Sequence, residues 1–381
     1  MIFFKIHLHV VSFRSIFKKS FCALGMRSGL LGKRLKVRFR LWTKAPRAGK
    51  SLFQNKMELF INNHLEAAFN LALEEVMTRC YPRDFLMLWR NANAIIVGRN
   101  QNTAAEINGE KVKEFQTAVI RRSTGGGAVY HDVGNLNYSI AVSGRHVTHE
   151  SFADHARPVL EALRLLGVPA EFSGRNDILV EGAKISGSAR AVLGERTLFH
   201  GTLLFDCNMD ILQEVLQPDP EKIRSKGIKS VRSRVMNLCM LFPGMSMEKF
   251  MEQFAFALQN QIAGCVLKSV PEEFIRRAEK LAEEKYRTWE WNYGTALAYT
   301  FSNSKRFPAG RIGVFFNIRN NAICDLAFSG DFFGLHPVEE LAEQLNGTSL
   351  DPESLLKKIE SIPLERWISG ISAQELLSLF V

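Results

Sequence analysis

The chain has 381 residues, 46% of them hydrophobic and 23% charged, which is ordinary for a globular protein and long enough for two domains. Its net charge of +10 comes from the N-terminal segment, because residues 1–56 contain 14 Lys/Arg and no Asp or Glu. Residues 57–381 carry 35 basic against 39 acidic side chains. This mildly acidic remainder argues against a nucleic-acid-binding protein.

The basic leader, residues 1–56, mixes Phe, Leu and Val with Lys and Arg. Charges interrupt every apolar run, which excludes a membrane span of about 20 residues and argues against a secretory signal. Two interpretations stay open: an organellar transit peptide, or a start assigned too early, with the protein beginning at Met57. Either way we expect a disordered leader. The six cysteines are scattered without a CxxC pair, which argues against structural zinc and a disulfide framework.

Apolar spacing predicts the elements of the first domain. Residues 65–80 have helical periodicity, and five apolar runs predict strands, two of them on either side of a triple glycine. The strand runs are 85–91, 94–100, 118–123, 127–132 and 136–142. Further along, the sequence predicts a helix over 152–168 and several strands with glycine turns over 177–208. A basic loop over 217–237 and two helices over 247–264 and 272–291 follow.

The character of the chain changes after about residue 285. Three strand-like runs and three helical runs with Pro, Asp or Ser at their starts predict a second, smaller α/β domain. We therefore divide the chain into the leader (1–56), a first domain (57–270), a linker helix that can act as a hinge (271–287) and a C-terminal domain (288–381).

The common nucleotide and hydrolase motifs are missing from the sequence. It has no GxxxxGK[ST], GxGxxG, HExxH or GxSxG, which argues against P-loop, dinucleotide-binding, zinc-protease and serine-hydrolase chemistry.

The strongest chemical signal is "RRSTGGG", in which Arg121 and Arg122 precede Gly125, Gly126 and Gly127. Without Cβ atoms, the backbone N–H groups of glycines can face an anion and the chain can approach a ligand closely. Guanidinium groups suit carboxylate or phosphate oxygens. The alternative is a glycine-rich hairpin with solvated arginines.

Other candidates are more ambiguous. Lys184 in "AKISGSA" is either a ligand-binding cation, with room left by Ser186 and Gly187, or a solvated strand residue. Asp177 is a cap or a Mg²⁺ ligand. Six cations between Lys222 and Arg234 form a phosphate clamp or a solvated loop. The histidines at 131 and 200 stand in apolar strand contexts, where a core role is commoner than catalysis.

Five stretches occur together in the order and spacing of one known family. They are "LWRNANAIIVGRNQN", "RRSTGGGAVYHDVGNLNYS", "SGRNDILVEGAKISGSA", "HGTLLFD" and "KGIKSVRSRVMNL". The sequence thereby resembles the lipoate–protein ligase A family over residues 57–381, and "TWEWNYG" matches the junction to that family's C-terminal accessory domain.

The resemblance implies an α/β fold: a mixed-sheet catalytic domain like that of biotin and lipoate protein ligases, plus a smaller α/β accessory domain. It implies activation of (R)-lipoate by ATP with Mg²⁺ to lipoyl-AMP, and transfer to a lysine of apo lipoyl domains of 2-oxo-acid dehydrogenases or of the glycine-cleavage carrier protein. We expect a monomer without nucleic-acid or membrane partners. The implied location is the cytoplasm, or mitochondria if the leader is a transit peptide.

The resemblance also assigns roles to residues, with Lys184 as the catalytic residue. ATP and the adenylate would contact Arg122, Gly127, Ala128, Val129, Tyr130, Asp177 and Lys184. Lipoate would contact Leu71, Leu73, Arg121, Ser123, Thr124, Gly125, Gly126, His131, Lys184 and His200. The basic loop 217–237 would close over the adenylate. Mg²⁺ would arrive with the nucleotide, with Asp177 as its one protein candidate.

Three rival functions are considered. A biotin protein ligase needs a different glycine-arginine loop. An octanoyltransferase would not need ATP, and the cysteine nucleophile of some members has no counterpart in "NLNYSIAVSGRHVTHES". A non-catalytic lipoate-binding protein would not need an intact Lys184 and basic loop.

Overall fold

The computed structural model describes residues 57–144, 151–173, 176–216, 235–293, 301–319 and 322–380. The leader and most of the basic loop 217–237 lie outside these ranges, so the predictions made for them remain predictions.

Eight strands form one mixed sheet. They are β1 (Glu58–Asn62), β2 (Phe85–Trp89), β6 (Asn135–Ser143), β7 (Ala170–Ser173), β8 (Asp177–Val180), β9 (Ala183–Leu193), β10 (Arg196–Leu204) and β11 (Val266–Lys268). Their order is β11-β1-β2-β6-β10-β9-β8-β7. Strand β1 is parallel to β2 and β11, and every other pair is antiparallel. A small second sheet has the order β4 (Ala118–Arg121), β3 (Ala94–Val97), β5 (Val129–His131).

Both faces of the large sheet are covered, which explains the unbroken apolar run of β2. Leu86 and Leu88 enter the core on one face, and Phe85, Met87 and Trp89 enter the core on the other. The first core contains helices α4 (Ser151–Leu165) and α6 (Met247–Gln261), and the second contains α1 (Ala67–Cys80). Short helices α2 (Thr103–Glu106), α3 (Gly109–Glu114) and α5 (Met209–Val215) lie in the loops of the first domain.

Helix α1 confirms the prediction over 65–80, although it begins later because Glu66 is still extended, with φ −77° and ψ 121°. It lies between the large sheet and the small one, since Phe85 of the first and Ile96 of the second share its core. This position brings α1 next to the end of β4, where the triple glycine follows.

The predicted linker helix packs on α1. Helix α7 (Glu272–Leu281) and the π turn Ala282–Tyr286 contribute Phe274 and Tyr286 to the α1 core. Buried Glu75 on α1 accepts hydrogen bonds from Lys285 Nζ at 2.7 Å and Tyr286 Oη at 2.6 Å. These buried contacts fix the linker helix to α1, and the hinge within 271–287 stays a prediction. Helix α8 (Trp289–Tyr293) follows directly.

The C-terminal domain has its own core. Strands β12 (Phe301–Phe307), β13 (Gly310–Arg319) and β14 (Ala322–Gly330) form an antiparallel sheet. Helices α9 (Val338–Leu345), α10 (Pro352–Glu360) and α11 (Ala373–Leu377) supply residues such as Leu341 and Ile359 to that core. The predicted fold class, a mixed-sheet α/β domain followed along the chain by a smaller α/β domain, is confirmed. Within the described ranges, no helix has the length and apolar character needed to span a membrane.

Candidate active site

One cavity of ≈ 430 Å³ lies where α1, the glycine loop (residues 121–128), β9 and β10 meet the C-terminal domain. Its wall includes ten of the residues predicted from the sequence: Leu71, Arg122, Gly126, Gly127, Ala128, Val129, His131, Asp177, Lys184 and His200. The fold therefore brings together residues that are spread over about a third of the chain.

The cavity has a buried part and an exposed part. Leu71, Trp89 and Ile96, each at most 2% exposed, give the buried part apolar walls, and His131 and Asn137 lie beside them. In the exposed part, the side chains of Lys184 and Asp177 are 37% and 36% exposed, and their charged atoms Nζ and Oδ1 are 2.8 Å apart. Such a cavity can hold a molecule with an apolar body and an anionic end.

Two glycines of the triple glycine, Gly125 and Gly126, and the nearby Gly98 have no room for a side chain. A Cβ on Gly98, in the turn after β3, would lie 1.9 Å from the carbonyl oxygen of Gly126. A Cβ on Gly125 would lie 2.5 Å from the carbonyl oxygen of Phe332 in the C-terminal domain. Gly126 has φ +93°, and a Cβ there would be 2.7 Å from the Phe333 ring. The loop is thus held tightly between two domains, where side chains have no room.

Arg122 holds the glycine loop from within. Its Nη2 donates to the carbonyl oxygens of Gly125 and Gly127 at 2.7 and 2.9 Å, its Nη1 to that of Ile96 at 3.0 Å, and its Nε to Thr124 Oγ1 at 3.0 Å. Burial lowers the pKa of Arg122 to about 10, so the guanidinium stays charged at neutral pH. The alternative of solvated arginines is wrong, because Arg121 and Arg122 are only 7% and 6% exposed.

Arg121 lies away from the cavity wall. It donates to the carbonyl oxygens of Gly98, Arg99, Gln101 and Trp291, at 2.7 to 3.0 Å. Five other predicted residues also lie off the wall: Leu73, Ser123, Thr124, Gly125 and Tyr130. Leu73 packs in the α1 core, and Tyr130 packs with Ile95 and Val97 of the small sheet, so these two support the loop without lining the cavity.

A buried network ties the wall to α1. The carboxylate of Glu74, 1% exposed, lies 2.9 Å from His200 Nδ1 and accepts a hydrogen bond from Ser139 Oγ at 2.5 Å. Ser139 in turn accepts from Trp89 Nε1 at 2.8 Å. On its other side, His200 Nε2 lies 2.8 Å from Thr124 Oγ1 of the glycine loop. The orientation of His200 is therefore fixed from both sides, and the sequence prediction omitted Glu74, Ser139 and Trp89.

The C-terminal domain supplies the rest of the wall. Arg306 at the end of β12, Pro308 in the following turn, and Asp331 and Phe333 after β14 all line the cavity. Arg306 Nη2 lies 3.5 Å from Asp331 Oδ2. The backbone N–H of Gly126 donates to the carbonyl oxygen of Phe332 at 3.2 Å. Both domains thus build the exposed part of the cavity.

Comparison with known proteins agrees with this geometry. The family model of the lipoyl protein ligase A/B catalytic domain matches residues 66–259, and that of the bacterial lipoate protein ligase C-terminus matches residues 296–380. The chain is 36% identical to lipoate-protein ligase LplJ of Bacillus subtilis over 328 residues, which are 84% of this chain and 99% of that protein. The chain belongs to the lipoyl protein ligase A/B family.

Solved structures of this family have the same fold. LipL1 of P. falciparum, in complex with lipoate, superposes with a TM-score of 0.70 at 25% identity, over 84% of this chain and 98% of LipL1. The bipartite lipoate protein ligase of Thermoplasma acidophilum, studied with its E2 lipoyl domain, gives 0.57 at 28% identity, over 65% and 99%. A lipoate-protein ligase A bound with ATP gives 0.55 at 26% identity, over 63% and 99%. The resemblance inferred from the motifs is confirmed.

The sequence analysis did not predict Asn137 as a cavity residue, although the pattern of its strand indicates it. In β6, the polar residues Asn135, Asn137 and Ser139 alternate with Leu136 and Tyr138, and all five are buried. Polar residues on every second position of a buried strand indicate a face that meets a site. Asn137 lines the cavity accordingly. Arg306 and Asp331 carry no comparable signal, since nothing local shows that their turns contact another domain.

Proposed function

We propose that the chain is a lipoate–protein ligase that uses ATP to form lipoyl-AMP and then transfers the lipoyl group to a lysine of an apo lipoyl domain. The observation that carries the proposal is that one cavity is lined by buried apolar residues, by the exposed Lys184–Asp177 pair and by the glycine loop. The structures of family members with lipoate and with ATP support the choice of substrates.

In the first step, a carboxylate oxygen of lipoate attacks the α-phosphorus of ATP, and the bond to pyrophosphate breaks. Both reactants are anions, so the site must supply positive charge. In the described wall the Lys and Arg side chains are Arg122, Lys184 and Arg306, and the N–H groups of Arg122 are already bonded to the loop. Lys184 and Arg306, whose side chains are 37% and 25% exposed, can exchange their carboxylate partners for phosphate oxygens.

In the second step, the amine of the acceptor lysine attacks the lipoyl carbonyl carbon, and AMP leaves. The amine must be neutral to attack. A positive Lys184 beside the carbonyl favours the neutral amine by charge repulsion and stabilises the oxyanion that forms. Lys184 would thus serve both steps, first with the carboxylate and α-phosphate and then with the tetrahedral intermediate.

Magnesium fits only as a companion of the nucleotide. Within the described residues, no group of three His, Cys, Asp or Glu side chains can hold a metal ion. Mg²⁺ is commonly bound by substrate phosphates, waters and one or two carboxylates. Asp177, freed when Lys184 turns to the substrate, and Asp331 are the two carboxylates on the wall that can complete such a shell.

The acceptor is a lysine on a lipoyl domain, and the glycine-cleavage carrier protein is a second expected acceptor. The E2 lipoyl domain studied with the Thermoplasma ligase supports the first assignment. A monomeric state and a cytoplasmic location stay predictions from the sequence.

One assay tests the proposal. The chain is incubated with ATP, Mg²⁺, lipoate and an apo lipoyl domain, and the domain is weighed by mass spectrometry. We expect a gain of one lipoyl group that depends on ATP. Modification from octanoyl carrier protein without ATP would instead establish the transferase alternative. Lipoate binding without modification under any condition would leave only the binding-protein alternative.

A further inference from the structure

Two buried hydrogen-bonding groups on the cavity wall have no partner among the residues that the structure describes. His131 Nε2 and Asn137 Nδ2 make no hydrogen bond to any described residue, although the two side chains are only 4% and 2% exposed. Both residues line the cavity. Buried polar groups in folded proteins are nearly always bonded, so a pair of unpartnered groups that faces a cavity indicates a ligand.

The hydrogen bonds around His131 show which ring nitrogen carries the proton. Asn91 Nδ2 lies 3.1 Å from His131 Nδ1, and the Oδ1 of Asn91 already accepts from Asn70 Nδ2 at 2.9 Å. An amide nitrogen only donates, so Nδ1 is an acceptor and the proton of the neutral ring is on Nε2. Burial, assisted by the charges of Arg122 and His200, lowers the pKa of His131 to about 3, so the ring is neutral. The group that faces the cavity is therefore an N–H donor.

Asn137 presents a second donor to the same space. Its Oδ1 accepts a hydrogen bond from Asn135 Nδ2 at 2.9 Å, so only its NH₂ group is left for a ligand. Two other buried polar side chains on the wall are already bonded: Trp89 Nε1 donates to Ser139, and His200 lies between Glu74 and Thr124. The buried part of the cavity is thus apolar except for two donors.

The two donors need a ligand atom that accepts hydrogen bonds. Lipoate and octanoate share a carbon chain and a carboxylate, and the carboxylate must lie in the exposed part, near Lys184 and the nucleotide. What lies deeper is the dithiolane ring of lipoate or the plain hydrocarbon end of octanoate. A divalent sulfur is a weak acceptor, whereas a CH₂ or CH₃ group is none.

We infer that His131 and Asn137 form a subsite for the sulfur end of lipoate, which makes the site select lipoate over octanoate. The inference rests on the proposed function and names the acyl group for that site. With octanoate, both donors stay buried without an acceptor, which weakens binding.

The test compares the two acids as ligands. Binding of lipoate and of octanoate to the full chain, without nucleotide, is measured by calorimetry. We expect lipoate to bind about tenfold more tightly, since an unsatisfied buried donor typically costs that much affinity. In Asn137→Leu, which keeps the volume but removes the donor, this ratio should fall about fivefold, mainly through tighter octanoate binding, because the donor that octanoate leaves unsatisfied is gone.

A matched control lies next to Asn137 on the other face of the same strand. Tyr138→Phe removes one buried hydroxyl that is 3.5 Å from Ser186 Oγ, and Tyr138 is not on the cavity wall. Its ratio should equal that of the wild type. Thermal melting shows whether each variant folds, and Asn137→Ala replaces the leucine variant if that one does not.

Equal affinity of the wild type for the two acids would overturn the inference. So would a loss in Asn137→Leu that is the same for lipoate and octanoate, because a merely structural residue would weaken both. Either result with ATP-dependent lipoylation intact contradicts the subsite alone. Selective lipoate binding without lipoylation contradicts the proposed function and leaves the subsite standing.

Discussion

The buried and the exposed parts of the cavity are built on opposite principles. In the buried part, Trp89 and His200 of the first domain are fixed by hydrogen bonds, and the donors of His131 and Asn137 are set before any ligand arrives. The exposed part contains one ion pair from each domain, Lys184 with Asp177 and Arg306 with Asp331, and we expect both pairs to open when phosphate binds. A fixed surface suits recognition of an acyl group, and exchangeable ion pairs suit a reaction in which charge moves.

The largest effect is expected in the exposed part, from Lys184→Ala. Lipoate-dependent exchange of pyrophosphate with ATP should fall about 100- to 1000-fold, because one preorganised charged donor to the transition state is lost. Stability should hardly change, since an exposed ion pair stabilises by at most about 1 kcal/mol. Lys249→Ala, which removes another exposed ion pair, at 2.7 Å from Glu252, serves as the control. Near-normal exchange in Lys184→Ala would remove its assigned role.

Gly126→Val tests the loop that joins the two parts. Valine is strained at φ +93°, and its Cβ would lie 2.7 Å from the Phe333 ring and 3.0 Å from Arg122 Nη2. We expect formation of lipoyl-AMP to fall about 100-fold, because a displaced loop shifts the cavity wall that positions the reactants. The melting temperature should fall as well, because the backbone strain of about 1–3 kcal/mol acts here too.

Gly167→Val is the matched control for that loop. Gly167 has φ +85°, similar to that of Gly126, but a Cβ there meets nothing within 4 Å. Its backbone strain, of about 1–3 kcal/mol, should lower the melting temperature without affecting adenylation. If both valine variants lose activity equally, strain alone accounts for the effect and the loop contacts do not matter.

Local periodicity explains how far the sequence could predict this site. Within the stretches predicted to form the site, helix and strand periodicity separates the residues that line the cavity from those that pack away from it. Leu71 lines the cavity and Leu73 does not, because residues two apart on a helix do not share a face. On β5, Val129 and His131 line it and Tyr130 enters the opposite core, as strand alternation requires. The motif resemblance marked whole stretches and did not apply this rule.

The remaining part of the site depends on contacts that no local pattern encodes. The longer helices and strands follow from apolar spacing and were predicted, whereas the short strands β1, β7 and β11 and the short helices α2, α3 and α5 were not. The turn 308–310 and residues 331–333 reach the glycine loop only because two domains pack together. The buried network of Glu74 and Ser139 likewise joins α1 to β6 across the sequence. Such contacts follow from tertiary packing, so they become visible only in the folded chain.

A smaller effect is expected from Arg306→Gln, which tests whether the C-terminal domain supplies charge to the exposed part. The KM for ATP should rise about tenfold, the usual effect of losing one charge-assisted hydrogen bond. Transfer from preformed lipoyl-AMP should be unchanged, because pyrophosphate has already left. Lys305→Gln is the control, since Lys305 donates to Ser378 O at 2.7 Å and is not on the cavity wall. Equal behaviour of the two variants would contradict the assignment of Arg306.

The smallest effect concerns the buried part and appears as a pH dependence of stability. The pKa of His131 is lowered to about 3 by burial, against about 6.5 in an unfolded chain. As the pH falls below about 6.5, the unfolded chain therefore binds a proton that the folded chain does not, and the free energy of unfolding falls by about 1.4 kcal/mol per pH unit. At about pH 5 this contribution reaches about 2 kcal/mol. His131→Gln does not titrate, so between about pH 7.5 and pH 5 it should lose less stability than the wild type by that amount. Denaturant unfolding at the two pH values measures the difference. Equal losses of stability in the two proteins would show that folded His131 is protonated at about pH 5, which contradicts the neutral ring.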